Sequence, residues 1–257
     1  MSRIPKKIWC WWDGDIPDFV KKCILRWKRF NPSFEIIILN DINIKKYIDI
    51  KIFDTMKLIK TSAMKSDLIR FIVIYNFGGI WMDGSIILNK SLDWIIDKGN
   101  MGYDFVGYYL DENTYNEFKN TAPMIETWLF GAIPKCNFVR DCLMEFLNIQ
   151  YFNSIKEYAN SLKMQGINPQ NLKKTADNYH IIYFVIQKIL QKPKEIYYIF
   201  LLNAGTSAFK LQIKYYWSSM LVVNDILNHK VDHEPVIKLI SEDRKIISLK
   251  NYESIFK

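Results

Sequence analysis

Long apolar runs are missing from this 257-residue chain, and no stretch reaches the roughly 20 consecutive apolar residues that a membrane-crossing helix needs. No secretory leader is expected either. Met1 to Lys7 is basic, but tryptophans and then Asp13 and Asp15 stand where an apolar segment would have to follow. The expected location is therefore the cytoplasm. Cysteine is scarce: Cys10, Cys23, Cys136 and Cys142 form no C-x-x-C pair, so buried, reduced thiols are expected. Histidine occurs three times. His229 and His233 are four residues apart in a tail that also holds Asp232 and Glu234, but the run is not H-E-x-x-H and has no evident third ligand, so a solvated loop is expected. The small-residue stretch Asn203-Ala204-Gly205-Thr206-Ser207 lacks the lysine of a P-loop.

The net charge of +8 calls for an anionic partner. Its lysines are scattered, with no basic arm, zinc-finger spacing or RNP pattern, so nucleic acid is set aside. An anionic bilayer surface and a diphosphate-bearing substrate remain. Apolar residues at 49% and charged residues at 24% suit a globular α/β protein, whereas the 15% aromatic share exceeds what a minimal core needs. Sugar-handling and membrane-interface surfaces both favour such rings.

The stretch from Lys60 to Leu88 carries the most information. Leu68, Ile69, Ile72, Val73 and Phe77 recur at helical spacing and are expected to bury one side. Gly78 and Gly79 should close that helix in the left-handed conformation, with Ile80, Trp81 and Met82 as a short apolar strand after it. Asp67 and Arg70 share a helix face, and Asp83 ends the strand, where ligands gather in open α/β sheets. Two readings stand: a structural ion pair with a turn-capping aspartate, or a site for a divalent ion or a ribose hydroxyl.

Ser66-Asp67-Leu68-Ile69-Arg70, then Gly78-Gly79-Ile80-Trp81-Met82-Asp83, resembles the S-D-x-x-R and G-G-x-[WY]-x-D signature of the DXD sugar transferases of glycosyltransferase family 32, nearest to its bacterial capsular polysaccharide synthesis branch. The resemblance implies a GT-A fold, a mixed central sheet flanked by helices in one domain over residues 1–257. About 1–110 would hold the nucleotide-sugar and about 111–257 the acceptor. The implied activity is retaining transfer of a hexose to a hydroxyl of a bacterial surface glycan, whose acceptor is in some cases lipid-linked. Asp67, Arg70 and Asp83 are the implied catalytic residues. Ser66 and Gly79 would join them at the donor. The family's DXD reads Asp83-Gly84-Ser85 here, so Mn2+ or Mg2+ would rest on Asp83 with Ser85 assisting, a neutral ligand in place of a charged one. In the opening I-P-K-x-I-W-x-x-W, Trp12 best matches the family's base-stacking tryptophan, with Trp9 second. Lys238, in Pro235-Val236-Ile237-Lys238-Leu239, would be the cation near the diphosphate. Two alternatives from other classes are a catalytically silent nucleotide- or glycan-binding module and a peripheral membrane adaptor.

The remaining pattern is that of alternating strands and helices. Strands are expected over Ile4 to Trp12, Phe34 to Leu39, Asp104 to Leu110, Glu126 to Ala132 and Ile196 to Leu202. Helices are expected over Asp18 to Phe30, Asn137 to Gln150, Ser154 to Met164 and Ala176 to Leu190, with a short one at Ser91 to Ile96. Leu25 should face inward on the first of these helices, and 108–113 should lie on the surface. Asp13 and Asp15 imitate a DXD motif but sit in a turn signal and are declined as metal ligands. The resemblance also implies Glu126, Trp128 and His180 as acceptor-side candidates, whereas by their own pattern Glu126 is expected on a strand surface and His180 is more simply a satisfied helix histidine.

Overall fold

The structure, a computed structural model, describes residues 3–111, 120–167, 181–228 and 234–256. Its first half contains β1 (Lys7–Trp11), α1 (Asp18–Phe30), β2 (Glu35–Leu39), α2 (Ile52–Thr55), α3 (Ser62–Phe77), β3 (Gly79–Met82), β4 (Ile86–Leu88), α4 (Asp93–Asn100) and β5 (Phe105–Tyr109). The second half contains β6 (Ile125–Ala132), α5 (Asn137–Asn148), α6 (Ile155–Met164), α7 (Ile181–Gln191), β7 (Ile199–Asn203), α8 (Lys210–Lys214), α9 (Ser219–Asn228), β8 (Val236–Lys238) and α10 (Ser241–Ser248). Six strands form a mixed sheet in the order β2-β1-β3-β6-β5-β7, in which β6 alone runs against its neighbours. This is the mixed α/β sheet flanked by helices that the sequence implies.

Alternation along the strands sends residues to two cores. Trp9, Trp81, Phe105 and Phe130 pack with α3, α5 and α7, while Ile8, Cys10, Ile80 and Val106 pack with α1, α4 and the C-terminal helices. All four cysteines are buried and free, as expected. The first helix has the expected bounds, with Asp18 in its first turn and Lys28 and Arg29 in its last, favourable against the helix dipole. Leu25, however, is exposed, and Cys23 takes the inward position.

The central helix differs more. Thr61 caps its start by accepting from Met64 N, yet every residue from Asp67 to Ile74 is buried, so the helix is covered all round rather than on one side. The sheet lies on one flank and α5 and α7 close over the others. Phe77, expected inside, is partly exposed at the end. Gly78 closes the helix with its N–H donating to Ile74 O at 2.8 Å. Its φ of 63° is positive as expected, but its ψ of −167° is extended rather than left-handed helical. That turn sends the chain straight into β3.

Other expectations need correction. Tyr108 and Leu110 are buried, not on the surface, and 112–113 lie outside the described residues. The solvated-loop reading of the tail fails at Glu234, which is buried and paired with Lys210, whereas His229, Asp232 and His233 lie outside the described residues. No sign of α8, α9 and α10 could be read from the sequence. Nor did it show that β4 pairs antiparallel with β8, Ile86 opposite Lys238 and Leu88 opposite Val236, across some 150 positions of chain. Trp27 Nε1 donates to Ile86 O at 2.7 Å and Arg26 Nε to Leu88 O at 2.6 Å, fixing β4 against α1.

Gly78 offers a direct check on the turn between α3 and β3. A Cβ there would lie 2.6 Å from Pro134 Cδ at a backbone angle that side chains disfavour. Gly78→Ala should cost about 2–4 kcal/mol from combined strain and overlap, read as a lower urea midpoint. An unchanged midpoint would mean that the turn is not built this way.

Candidate functional site

Strand polarity decides where the site lies. The carboxyl ends of β1, β3 and β5 and the beginning of the reversed strand β6 meet along one edge of the sheet, the edge at which α/β proteins take their ligands. A cavity of about 1010 Å³ opens there, at the upper end of the roughly 300–1,000 Å³ usual for small-molecule sites. Trp11 at the end of β1 with Trp12 and Asp13 just after it, Ser66, Asp67 and Arg70 from α3, and Asp83 and Gly84 just after β3 line it. So do Glu126, Thr127 and Trp128 from β6, Tyr183 from α7, and Lys238 and Arg244 from the C-terminal elements. A smaller depression of about 560 Å³, between 47–55, α3 and α5, shares none of these residues.

Arg70 ties the elements together. Its Nη1 is ion-paired with Asp67 Oδ1 at 3.0 Å, donates to Thr127 O at 3.1 Å, and also reaches Thr127 Oγ1. Its Nη2 donates to Ser66 Oγ at 3.2 Å and faces Asp83 Oδ1 at 3.5 Å, while the guanidinium lies 5.2 Å from the centroid of the Trp81 ring. Asp83 receives more. Lys238 Nζ donates to its Oδ2 at 2.9 Å and Trp81 Nε1 to its Oδ1 at 3.1 Å, and its backbone N–H is held by Trp128 O. Asp67, Arg70, Asp83, Ser66 and Lys238 thus come together in one place.

These contacts set the charge states. Burial pushes the Asp83 carboxyl up, but the Lys238 ammonium and the Arg70 guanidinium outweigh it and hold Asp83 below the ordinary carboxylate range. Asp67 goes the other way. It is almost fully buried, which raises it despite the opposing pull of Arg70. Glu126 is buried too, at 4% exposed, correcting the surface-strand expectation, and burial moves it from 4.5 up to about 7 although Tyr183 donates to Oε2 at 2.9 Å. The buried N–H groups of Trp11 Nε1 and Arg70 Nε have no partner among the described residues, although such groups are nearly always satisfied. Both residues line the cavity, so acceptor atoms of a ligand would complete them.

Three donor-side expectations change. Trp9 is fully buried, its Nε1 donates to Gly78 O at 2.9 Å, and its ring packs on Tyr47 and Phe77, so it is a core residue. Trp12 lines the cavity as expected, and Trp11 beside it was missed, although the ligand-bearing end of the strand was a signal for it. Gly79 is buried within β3, where a Cβ would lie 2.8 Å from Lys7 O; the glycine that faces the cavity is Gly84, packed beneath Trp12. Ser85 is fully buried and accepts from Arg244 at 3.1 Å rather than presenting its hydroxyl to the cavity. On the acceptor side, Trp128 lines the cavity, stacked on Tyr108 and edged by Phe209. His180 lies outside the described residues. Asp13, declined as a metal ligand, also lines the cavity and accepts from Ser62 Oγ. Nothing in the sequence marked Arg244 or Trp217, because the elements that carry them were not foreseen.

The divalent ion that the resemblance implies does not fit these residues. Asp83 is the one carboxylate of the motif that faces the cavity, and both its oxygens already accept from cationic or N–H donors. The second motif position, Ser85, is turned into the protein. Among the described residues no group of three His, Cys, Asp or Glu side chains is arranged to hold a metal.

The family described as capsular polysaccharide synthesis protein matches residues 1–229. The O-glycosyltransferase braB of Annulohypoxylon truncatum is 24% identical over 151 residues, covering 48% of this chain and 36% of that protein, so the chain spans little more than a third of that relative's length. Among solved structures, the PaToxG glycosyltransferase aligns at 17% identity and a TM-score of 0.44 over 99% of this chain and 87% of its own. The glycosyltransferase GlyE of Streptococcus pneumoniae TIGR4 aligns at 11% and 0.46 over 98% of this chain and 62% of its own. A glycosyltransferase involved in glycosylating the major capsid of PBCV-1 aligns at 9% and 0.45 over 93% and 96%.

The buried Glu126 supplies a pH test. Between about pH 4.5 and 7 an unfolded glutamate is ionised while the folded one keeps its proton, so folding loses stability as pH rises through that window. Glu126→Gln removes this cost. Relative to wild type, the variant should gain on the order of 2 kcal/mol between about pH 5 and pH 8, measured by urea unfolding, and Asp67 cancels in the comparison because both proteins carry it. A difference that does not vary with pH would show that Glu126 titrates normally.

Proposed function

The chain belongs to the capsular polysaccharide synthesis protein family, and from that premise we propose that it is a glycosyltransferase. In this reading it moves a hexose from a nucleotide-sugar to a hydroxyl of a bacterial surface glycan with retention of anomeric configuration. The observation that carries the reading is the convergence of Asp67, Arg70, Asp83 and Lys238 on one large cavity at the ligand-binding edge of the sheet.

The chemistry follows from where charge develops. The bond between the anomeric carbon and the diphosphate oxygen breaks with its electron pair going to the phosphate, and the acceptor oxygen forms the new bond to that carbon. Negative charge grows on the leaving group, so fixed positive charges and N–H donors there lower the barrier. Arg70 and Lys238 supply them. Trp11 and Trp12 at the end of β1 offer ring faces for the base, and Gly84 leaves Trp12 room. Asp67 holds Arg70, and Asp83 accepts from a sugar or ribose hydroxyl, both acting by positioning more than by proton transfer. The leaving phosphate takes the acceptor's proton on the same face.

We assign the acceptor to the side bounded by Glu126, Tyr183 and Trp128. Glu126 accepts from the incoming hydroxyl while Tyr183 keeps its carboxyl in place. Farther out, Trp217 packs on Phe209 and lines the cavity, next to the exposed Tyr216, Met220 and Leu221. Tyr216 and Trp217 both hold positive φ, at 49° and 64°, a strain that ligand-facing segments often carry. An aromatic and apolar rim of this kind suits an acceptor presented on a lipid at an anionic inner membrane face. No helix among the described residues is long and apolar enough to cross a membrane. The donor side draws on residues from both ends of the chain, since Lys238 and Arg244 join the N-terminal elements there.

The test pairs binding with turnover. Against a panel of nucleotide-sugars, at least one should raise the melting temperature of the wild-type protein and be hydrolysed slowly without an acceptor. Asp83→Asn, shown to be folded by circular dichroism, should lose about 100-fold or more of that hydrolysis. A panel with no stabilising member, or full hydrolysis by Asp83→Asn, would contradict the transferase reading.

A further inference from the structure

Asp83 is already occupied by a cation that the chain itself provides. Lys238 is 8% exposed, and its ammonium lies 2.9 Å from Asp83 Oδ2. It is held there by the register of β4 against β8, which sets Lys238 opposite Ile86, three residues past Asp83. On the other oxygen stand Arg70 and the Trp81 indole. Gln212 Nε2 donates to Lys238 O at 2.7 Å and to Asp243 Oδ2 at 3.0 Å, so the backbone that carries the ammonium is fixed to α10 by a buried network. The lysine is positioned rather than left to wander.

The same turn removes the other ligand that a divalent ion would need. Asp83, Gly84, Ser85 and Ile86 form a turn closed by Ile86 N donating to Asp83 O, and it directs the Ser85 hydroxyl inward to Arg244 Nη1. Hard divalent ions take several oxygen ligands and gain most from carboxylates. A metal seated on Asp83 would have to displace Lys238 and stand beside the Arg70 guanidinium, and among the described residues no group of three His, Cys, Asp or Glu side chains is arranged to receive it. Both the charge and the ligand count oppose it.

Resting on the transferase reading above, we infer that sugar transfer at this site is metal-independent, with the Lys238 ammonium in the place of the divalent ion. On donor binding Lys238 exchanges Asp83 for a diphosphate oxygen, and Arg70 neutralises the side facing α3. The freed Asp83 carboxylate then accepts from a donor hydroxyl. Transfer breaks the bond from the anomeric carbon to the phosphate oxygen, whose electron pair stays on the diphosphate. The acceptor oxygen bonds to the same carbon, its proton passes to the departing phosphate, and no redox partner is required. The added negative charge meets a lysine that is already in place. Lys238 also makes the site's charge depend on a residue far outside the signature motif.

The experiment measures binding of UDP, GDP, ADP and CDP to the intact protein by calorimetry, in EDTA and again with Mn2+, for wild type and for Lys238→Gln. The inference expects at least one diphosphate to bind wild type with an affinity that Mn2+ changes by no more than about twofold, and Lys238→Gln to bind it about tenfold or more weakly, as loss of a charge-assisted hydrogen bond predicts. A diphosphate that binds wild type tightly only with Mn2+ overturns the inference and leaves the transferase reading standing. Undiminished binding by a folded Lys238→Gln overturns it equally. If no diphosphate binds under either condition, the transferase reading itself fails and the inference falls with it, a result separable from metal dependence because Mn2+ restores nothing. The comparison of EDTA with Mn2+ needs only wild-type protein, so it stands even if the variant does not fold.

Discussion

A guanidinium left 7% exposed must have its donors met, because an unpaired charge in the interior costs several kcal/mol. Arg70 meets that demand by drawing on three elements at once: Asp67 and Ser66 from its own helix, Thr127 from the reversed strand β6, and Asp83 from the end of β3. That sharing is what binds the helix to the sheet at this edge. It also explains why α3 is buried on every side, since a helix carrying such a group inward has to be enclosed by the partners that satisfy it. Among the described residues one donor, Arg70 Nε, has no partner, and it lies beside a large cavity.

From this constraint the rest of the site follows. Asp83 is kept ionised by its neighbours although burial opposes it, so the site holds a fixed negative charge between two fixed positive ones. One of those, Lys238, arrives through the short pairing of β4 with β8, which Trp27 and Arg26 of α1 secure from below. Packing far from the cavity therefore sets the distance at which the ammonium stands. On the opposite wall Glu126 is ready to change protonation near neutral pH, and the two carboxylates thus have different work: one constant in charge, the other responsive.

Local signals were legible wherever a residue's role depends on its immediate neighbours. The bounds of α1, the helix-glycine-strand passage from Ser62 to Met82, and the proximity of Asp67 to Arg70 could all be read from spacing. Roles set by distant partners could not. Ser85 and Asp83 look equivalent within the motif, but the turn between them points one outward and the other at Arg244. Trp9 and Trp11 share a face of β1, and only the position of the strand's carboxyl end tells that Trp9 is core and Trp11 is cavity. Glu126 looks like a surface residue in a strand until α7 covers it with Tyr183. The C-terminal helices escaped notice because they are short, and of the three only α10, through Ser241, Glu242 and Arg244, reaches the cavity.

The most direct measurement is a crystal structure of the protein with a bound nucleoside diphosphate, grown in EDTA. The account predicts the diphosphate inside the cavity between α3 and β8, with Lys238 Nζ moved from Asp83 onto a phosphate oxygen, Arg70 still bonded to Asp67, and the base against Trp11 or Trp12. A nucleotide bound outside that cavity, or one bound within it while Lys238 remains on Asp83 and contacts no phosphate, would contradict it.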